Sequence, residues 1–231
     1  MSGCSAALDN EFIWLYHFLS MQIKKQSRDS VTNAARRAQI VRAAIETIVE
    51  LGYDKATFAT ITGRAGLSSP RMISYHFAGK QDLIRQIVED VYLAGAAFIL
   101  ERVKAQTTAS GRLRAYLEAN LEFLREHPID LAAVTEIGPH LRDQAGEPYS
   151  SAGHQEPSVQ GLVMLLEEGQ RGGDFGDFDA RSMAVMIRAA IDAAAPRIHE
   201  HSFDFDAYRG TVVDTFVRAV QKAAQQAAVE R

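Results

Sequence analysis

Apolar residues recur at three- and four-residue steps through most of the chain, and runs of strict alternation are short. That pattern predicts an all-α protein. The first strong helix spans Asn33 to Leu51, with Ile40, Val41, Ala44, Ile45, Ile48, Val49 and Leu51 as its apolar positions. Thr32 or Asn33 suits its N-cap, and Gly52 stands where a left-handed residue ends a helix. A short helix follows, with Thr57 as N-cap and Phe58, Ile61 and Ala65 facing inward, and it stops at Gly66. Another short helix begins at Ser69, with Pro70 at the first helical position, and runs to about Phe77; proline is favoured there because its missing N–H has no partner to lose. Gly79 caps a longer helix, with Asp82 in its first turn and Leu83, Ile84, Ile87, Val88, Val91 and Tyr92 along its stripe.

Further helices are expected at Ala97–Gln106, Gly111–Glu126, Ile129–Leu141, Ser158–Arg171, Asp179–Ala195 and Asp206–Ala228. Pro196 ends one of them, since proline cannot continue a helix ladder. Gln144–Pro157, with Gly146, Pro148, Gly153 and Pro157, reads as a loop. The glycines at 172, 173 and 176 follow no strand, so they read as an interhelix turn rather than a phosphate cradle.

Charge changes this picture. The formal net charge is −4, but the sign is unevenly distributed. Residues 22–80 hold ten basic and four acidic residues, and residues 81–231 hold fifteen basic and twenty-three acidic ones. A basic segment joined to an acidic remainder suggests two jobs, one of them at phosphate. The alternative is a solvated basic face. Length (231 residues), 47% hydrophobic and 23% charged composition fit a globular chain with a real core. The apolar run Phe12–Leu19 is far short of the ~20 residues that span a bilayer. No Lys or Arg precedes Lys24, so no secretory signal is expected. Cys4 is the single cysteine, which removes internal disulfides and thiolate zinc sites and leaves a cytoplasmic setting as the default.

Two short helices joined by a glycine-containing turn, between two longer helices, make a helix-turn-helix arrangement. The turn Ala65-Gly66-Leu67 is tight enough. The second helix must be pinned by apolar residues while presenting polar ones to the major groove. Ile73 and Phe77, four apart, face inward, and Ser69, Arg71, Met72, Ser74, Tyr75 and His76 face outward. Arg71 has the fork that reads guanine or holds phosphate. Lys80, just past this helix, suits a phosphate clamp.

The segment Thr57-Phe58-Ala59-Thr60-Ile61-Thr62-Gly63-Arg64-Ala65-Gly66-Leu67-Ser68, followed by Tyr75-His76-Phe77-Ala78-Gly79-Lys80-Gln81-Asp82-Leu83-Ile84, resembles the TetR family of bacterial transcriptional regulators. The resemblance covers about residues 33–92. It implies an N-terminal helix-turn-helix DNA-binding domain, placed at 31–92, and a C-terminal helical ligand-binding and dimerisation domain at 93–231. It implies a ligand-responsive regulator, read as a repressor, that binds a near-palindromic double-stranded operator as a homodimer; the alternative is a helical small-molecule-binding or protein-interaction module without sequence-specific DNA binding. No nucleophile-elbow signature and no Walker-type loop stand in the sequence, so no enzymatic activity and no cofactor are expected. In that setting Ser69, Arg71, Ser74, Tyr75 and His76 meet bases or phosphates, and Thr57 and Lys80 anchor phosphates. The chain departs from the family where Gly-Thr-Leu-Tyr is common and Arg71-Met72-Ile73-Ser74 stands. Ser74 then matches a tyrosine that often contacts phosphate. One extra residue near Ser68-Ser69 leaves the recognition register open by one position.

Residues 1–30 fall outside the resemblance. Phe12–Leu19 read as an extra helix, a mobile arm, or a segment before a true start at Met21. The basic stretch Lys24–Arg28 reads as a solvated linker in preference to a minor-groove arm. His199 and His201, with Glu200, Asp204 and Asp206 nearby, read as a solvated loop, because histidines two apart do not share a helix face. Met164, Met183, Met186, Phe123 and Tyr116 read as core in preference to the lining of an apolar effector pocket. Met183, Ala184, Ile187, Ala190, Ile191 and Ala194, and Tyr208, Val212, Val213, Phe216, Val217 and Val220, form two stripes suited to a four-helix dimer bundle; the alternative is that both face their own subunit.

Overall fold

A computed structural model describes residues 31–142, 151–198 and 200–222. The expectations for residues 1–30, Gln144–Ser150, His199 and the chain beyond Lys222 lie outside the described residues. Everything described is helix, turn or loop, apart from a single bridge residue at Arg142. In chain order the helices are α1 Val31–Leu51, α2 Phe58–Arg64, α3 Arg71–His76, α4 Lys80–Lys104 and α5 Ala109–Glu126. They continue with α6 Pro128–Ile137, α7 Ser151–Arg171, α8 Ala180–Asp192 and α9 Phe205–Ala219. Short 3₁₀ turns follow α6 at Gly138–His140 and α8 at Ala195–Arg197, the latter holding Pro196.

The chain divides into two compact units. Of the described residues, the first holds 31–94, 127–142 and Ser151, and one division falls within α4. Its core is drawn from every helix of the unit. Ile40, Ala44 and Ile48 of α1 repeat at four-residue steps and are buried, with Ile61 of α2, Ile73 and Phe77 at α3, and Leu83, Ile84 and Ile87 of α4. Ala133 and Ile137 of α6 and Leu141 beyond it complete this core, and α6 lies along α1. An ion pair from Arg42 to Asp130 at 3.1 Å tightens the α1–α6 contact. Three residues assigned to apolar stripes fall elsewhere: Val49, Leu51 and Tyr92 are exposed. They sit near the edges of their stripes, where burial depends on a neighbour that periodicity does not supply.

Helix ends account for most of the differences from the pattern. α1 begins at Val31, so Thr32 and Asn33 lie inside it rather than capping it. Gly52 takes φ +84°, the expected left-handed end. Gly95 does not break a helix. α4 runs through it, because the bare α-carbon accepts the Phe123 ring; a Cβ there would lie 3.1 Å from Phe123 Cε1. α7 starts at Ser151, seven residues before the expected Ser158, and so takes in Pro157 and part of the segment read as loop. A proline interrupts the ladder by one hydrogen bond without forbidding the turns before it.

The second unit holds, of the described residues, 95–126 and those from 152 onward. α9 and α8 pack on α5. Leu113, Leu117 and Leu121 repeat along α5 and are buried with Leu162 and Leu166 of α7 and Ile187 and Ile191 of α8. Asp179 caps α8 by accepting from the Ser182 N–H at 2.7 Å, and Asp204 caps α9 by accepting from Ala207 at 2.9 Å. One polar network crosses this core. Arg188 donates to Asp192 at 3.0 Å through Nε and to Asn120 Oδ1 at 2.9 Å, while Asn120 donates to the Tyr116 carbonyl at 2.7 Å. Asp192 is therefore an ion-pair partner of its own helix. Glu136 accepts from the Tyr53 backbone N–H in the first unit.

Asn120→Ala deletes the Oδ1 that accepts from Arg188 in the core and removes a second, side-chain donor from the Tyr116 carbonyl. We expect a loss of about 1–3 kcal/mol in unfolding free energy, read from urea titration.

Candidate nucleic-acid interface

Local hydrogen bonds define the ends and the corner of the helix-turn-helix. Thr57 Oγ1 accepts from the Thr60 N–H at 3.2 Å, and the Thr57 N–H donates to Thr60 Oγ1 at 2.8 Å. This reciprocal box satisfies orphan donors at the start of α2, with threonine where glutamate or glutamine is usual. Thr62 back-bonds to Phe58 O at 2.5 Å. The turn then needs a left-handed residue, and Gly66 supplies it at φ +63°. The Leu67 N–H donates to Thr62 O at 3.0 Å and closes the corner.

α3 has six residues, Arg71–His76. Pro70 already has helical angles (φ −60°, ψ −22°), and the carbonyls of Ser69 and Pro70 accept from Met72 and Ile73 at 3.1 and 3.0 Å. The helical path therefore starts near Ser69, as the sequence suggests. Ile73 is 0% and Phe77 1% exposed, while Tyr75 is 82% exposed. Arg71 and Ser74 are exposed with it, and Ser69, Met72 and His76 are half-buried. The Tyr75 and His76 rings meet edge-on at 5.1 Å. Four of the expected contact residues, Arg71, Ser74, Tyr75 and His76, thus share one short helix, with Ser69 just before it and Thr57 exposed at the start of α2.

Lys80 is placed differently. Its ammonium donates to the Tyr53 carbonyl at 2.5 Å and lies 3.7 Å from the Tyr53 ring centre. Burial lowers its pKa, and Asp54 opposes the shift. Tyr53 also stacks on His140, with ring centres 3.8 Å apart and planes 6° apart, and its own pKa is raised by burial first and Asp54 second. Gln81 donates to the His140 carbonyl at 3.2 Å. Lys80 therefore ties the loop before α2 to the start of α4.

The basic excess of the segment is partly internal as well. Arg64 pairs with Glu50 and with Glu46 at 3.8 Å, and Arg42 pairs with Glu46 at 3.0 Å and with Asp130. Arg37 donates to the His76 carbonyl and to Gln86. Among the described basic residues up to Lys80, Lys55 and Arg71 are exposed with no acidic partner. Lys55, two residues before Thr57, is the basic side chain that reading by motif overlooked. Its signal was its nearness to the cap of α2.

Residues 40–87 match the family described as "Bacterial regulatory proteins, tetR family". This match covers the helix-turn-helix and parts of the helices on either side of it. Its curated relatives include the regulator BetI of Cronobacter sakazakii, 33% identical over 100 residues, which are 42% of this chain and 49% of the relative. BetI of Stenotrophomonas maltophilia is 36% identical over 91 residues, 38% of this chain and 44% of the relative. The matches thus span about half the length of these relatives, which are described as HTH-type transcriptional regulators. The fold likeness extends further. A tetR-family regulatory protein from Rhodococcus RHA1 superposes with a TM-score of 0.67 at 20% identity, over 84% of this chain and all of the other. FadR of Bacillus subtilis, solved with stearoyl-CoA, gives 0.64 at 23% identity, over 80% of this chain and 99% of the other. Among the described residues, no helix is long and apolar enough to cross a membrane.

Thr60→Val removes one half of the α2 capping box, the Oγ1 that accepts from the Thr57 N–H, and leaves the Thr60 N–H bonded to Thr57 Oγ1. It is expected to lower unfolding free energy by about 1 kcal/mol, measured by urea titration against the parent.

Proposed function

We propose that this chain is a dimeric, ligand-responsive transcriptional repressor that binds a near-palindromic DNA operator through α3. The observation that carries the reading is the division of α3 into two faces. Ile73 and Phe77 are buried, while Arg71, Ser74 and Tyr75 project unburied beside a capped α2. A helix of this length extends about 9 Å, enough to place a few side chains on three or four base pairs. In this reading Arg71 reads a guanine, and Ser69, Ser74, Tyr75 and His76 meet bases or phosphates. Thr57 and Lys55 hold phosphates before α2. Lys80 joins them only by exchanging the Tyr53 carbonyl for a phosphate oxygen. A regulator acts where the chromosome is, so the reading carries a cytoplasmic location.

The dimer contact is revised by burial. Ala184, Ile187, Ile191 and Ala194 of one expected stripe, and Val212, Val213, Val217 and Val220 of the other, are buried within their own unit. The opposite side of α8 carries Val185 at 48% and Met186 at 52% exposure, with Ala189 and Ala193 also exposed. We assign the partner copy to this face. The effector is assigned to the second unit. Of the residues considered for its pocket, Phe123 and Met183 are buried, while Met186 is exposed and belongs with the dimer face. The core around them is apolar, which suits a hydrophobic effector, and FadR offers a case of a similar fold solved with a long acyl ligand. Such an effector acts by binding better to a dimer geometry whose recognition helices do not match the groove spacing.

Selection of genomic fragments by the purified chain at about 0.15 M salt tests the reading. Recovery of one near-palindromic site supports it, and uniform recovery of unrelated DNA contradicts it. On the selected site, Arg71→Ala is expected to cost about 1–3 kcal/mol and to relax one base position. Met186→Arg is expected to give monomers in sedimentation and to weaken operator binding about tenfold or more, through loss of the second half-site contact.

A further inference from the structure

α3 is too short to hold its own orientation. Helical stability at this length comes from packing and from whatever satisfies the terminal carbonyls. Phe77 leaves the helix in extended conformation (φ −134°, ψ 129°), and its N–H closes the last turn on Ile73 O. The last carbonyl of the helix, that of His76, accepts from Arg37 Nη1 at 2.6 Å. The other arm of the same guanidinium, Nη2, donates to Gln86 Oε1 of α4 at 2.7 Å. Gln86 is itself fixed, donating to Asp90 Oδ1 at 2.8 Å. The guanidinium carbon lies 4.5 Å from the centre of the Phe77 ring. One planar group therefore joins α1, the C-terminal end of α3 and α4, and a cation at a helix C-terminus also suits its dipole. A lysine offers one point charge and cannot reproduce the two-armed fork.

We infer that Arg37 is the positioning residue that sets the angle of the recognition helix, and that its charge is not a phosphate contact. The inference rests on the DNA-binding reading above, and one arm of its test is independent of DNA. Arg37 lies in the basic segment, so the competing role is a direct phosphate contact. The two differ in salt dependence. Loss of a phosphate contact lowers the slope of log affinity against log salt by about one; loss of a positioning contact leaves it unchanged.

The test uses the full chain with Arg37→Met, Arg37→Lys and Gln86→Leu. The last removes the α4 partner and leaves the charge. All three are first shown to be folded by circular dichroism. Without DNA, hydrogen exchange is expected to quicken in residues 71–77 of each variant and to stay at the parent rate in α2. With DNA, operator affinity is expected to fall about tenfold in both Arg37 variants, as for misreading a base pair. Gln86→Leu is expected to show a smaller loss. Affinity for random duplex and the salt slope are expected to stay near the parent values. A slope reduced by about one, with operator and random DNA weakened in parallel, overturns the inference in favour of a phosphate contact. Unchanged exchange in residues 71–77 overturns it outright. If the parent itself binds no operator, the functional reading fails, while the exchange result still decides whether Arg37 holds α3.

Discussion

The burial of Ile73 and Phe77 is the constraint on which the rest of the first unit depends. Six residues of helix are unstable alone, and these two side chains, one turn apart, bind α3 to the core formed by α1, α2, α4 and α6. Because both anchors sit on one side, the other side is left to polar groups that need no partner within the protein. The same geometry explains the devices around it. A threonine box starts α2, Gly66 turns the corner, and Arg37 holds the far end of α3. Each fixes a backbone segment that hydrophobic burial alone would leave free to rotate about its anchors.

Electrostatics divides the basic segment into two populations. Arg37, Arg42 and Arg64 bind acceptors inside the unit, and Lys80 sits over the Tyr53 ring with its charge disfavoured by burial. Lys55 and Arg71 remain at the surface. Among the described residues, the positive charge is thus larger than the part left exposed without an acidic partner. Among the described residues, the first four serve cohesion between helices, and the two exposed ones flank the start of α2 and the start of α3.

Much of this was legible in the sequence because it is local. The Thr57 cap, the left-handed Gly52 and Gly66, and the inward pair Ile73 and Phe77 all follow from spacings of four residues or fewer. What was not legible depends on distant partners. The helix expected at Ala97 is the continuation of α4 through Gly95, where Phe123 packs, and Lys80, expected as a phosphate clamp, bonds the Tyr53 carbonyl instead, over a ring that stacks on His140. The stripes on α8 and α9 show the same limit. Periodicity names an apolar face but not whether its own subunit or a second copy covers it, and here the subunit covers it. The membership of α6 in the first unit carried no sequence signal either, because its contacts reach back some ninety residues to α1.

The central claim is that DNA is met by the exposed side of α3 and the start of α2. Hydrogen exchange of the full chain, compared with and without a selected operator duplex, tests it most directly. The account predicts added protection concentrated in residues 55–60 and 69–76. Protection confined to other helices, with these two segments unchanged in the bound state, would contradict it.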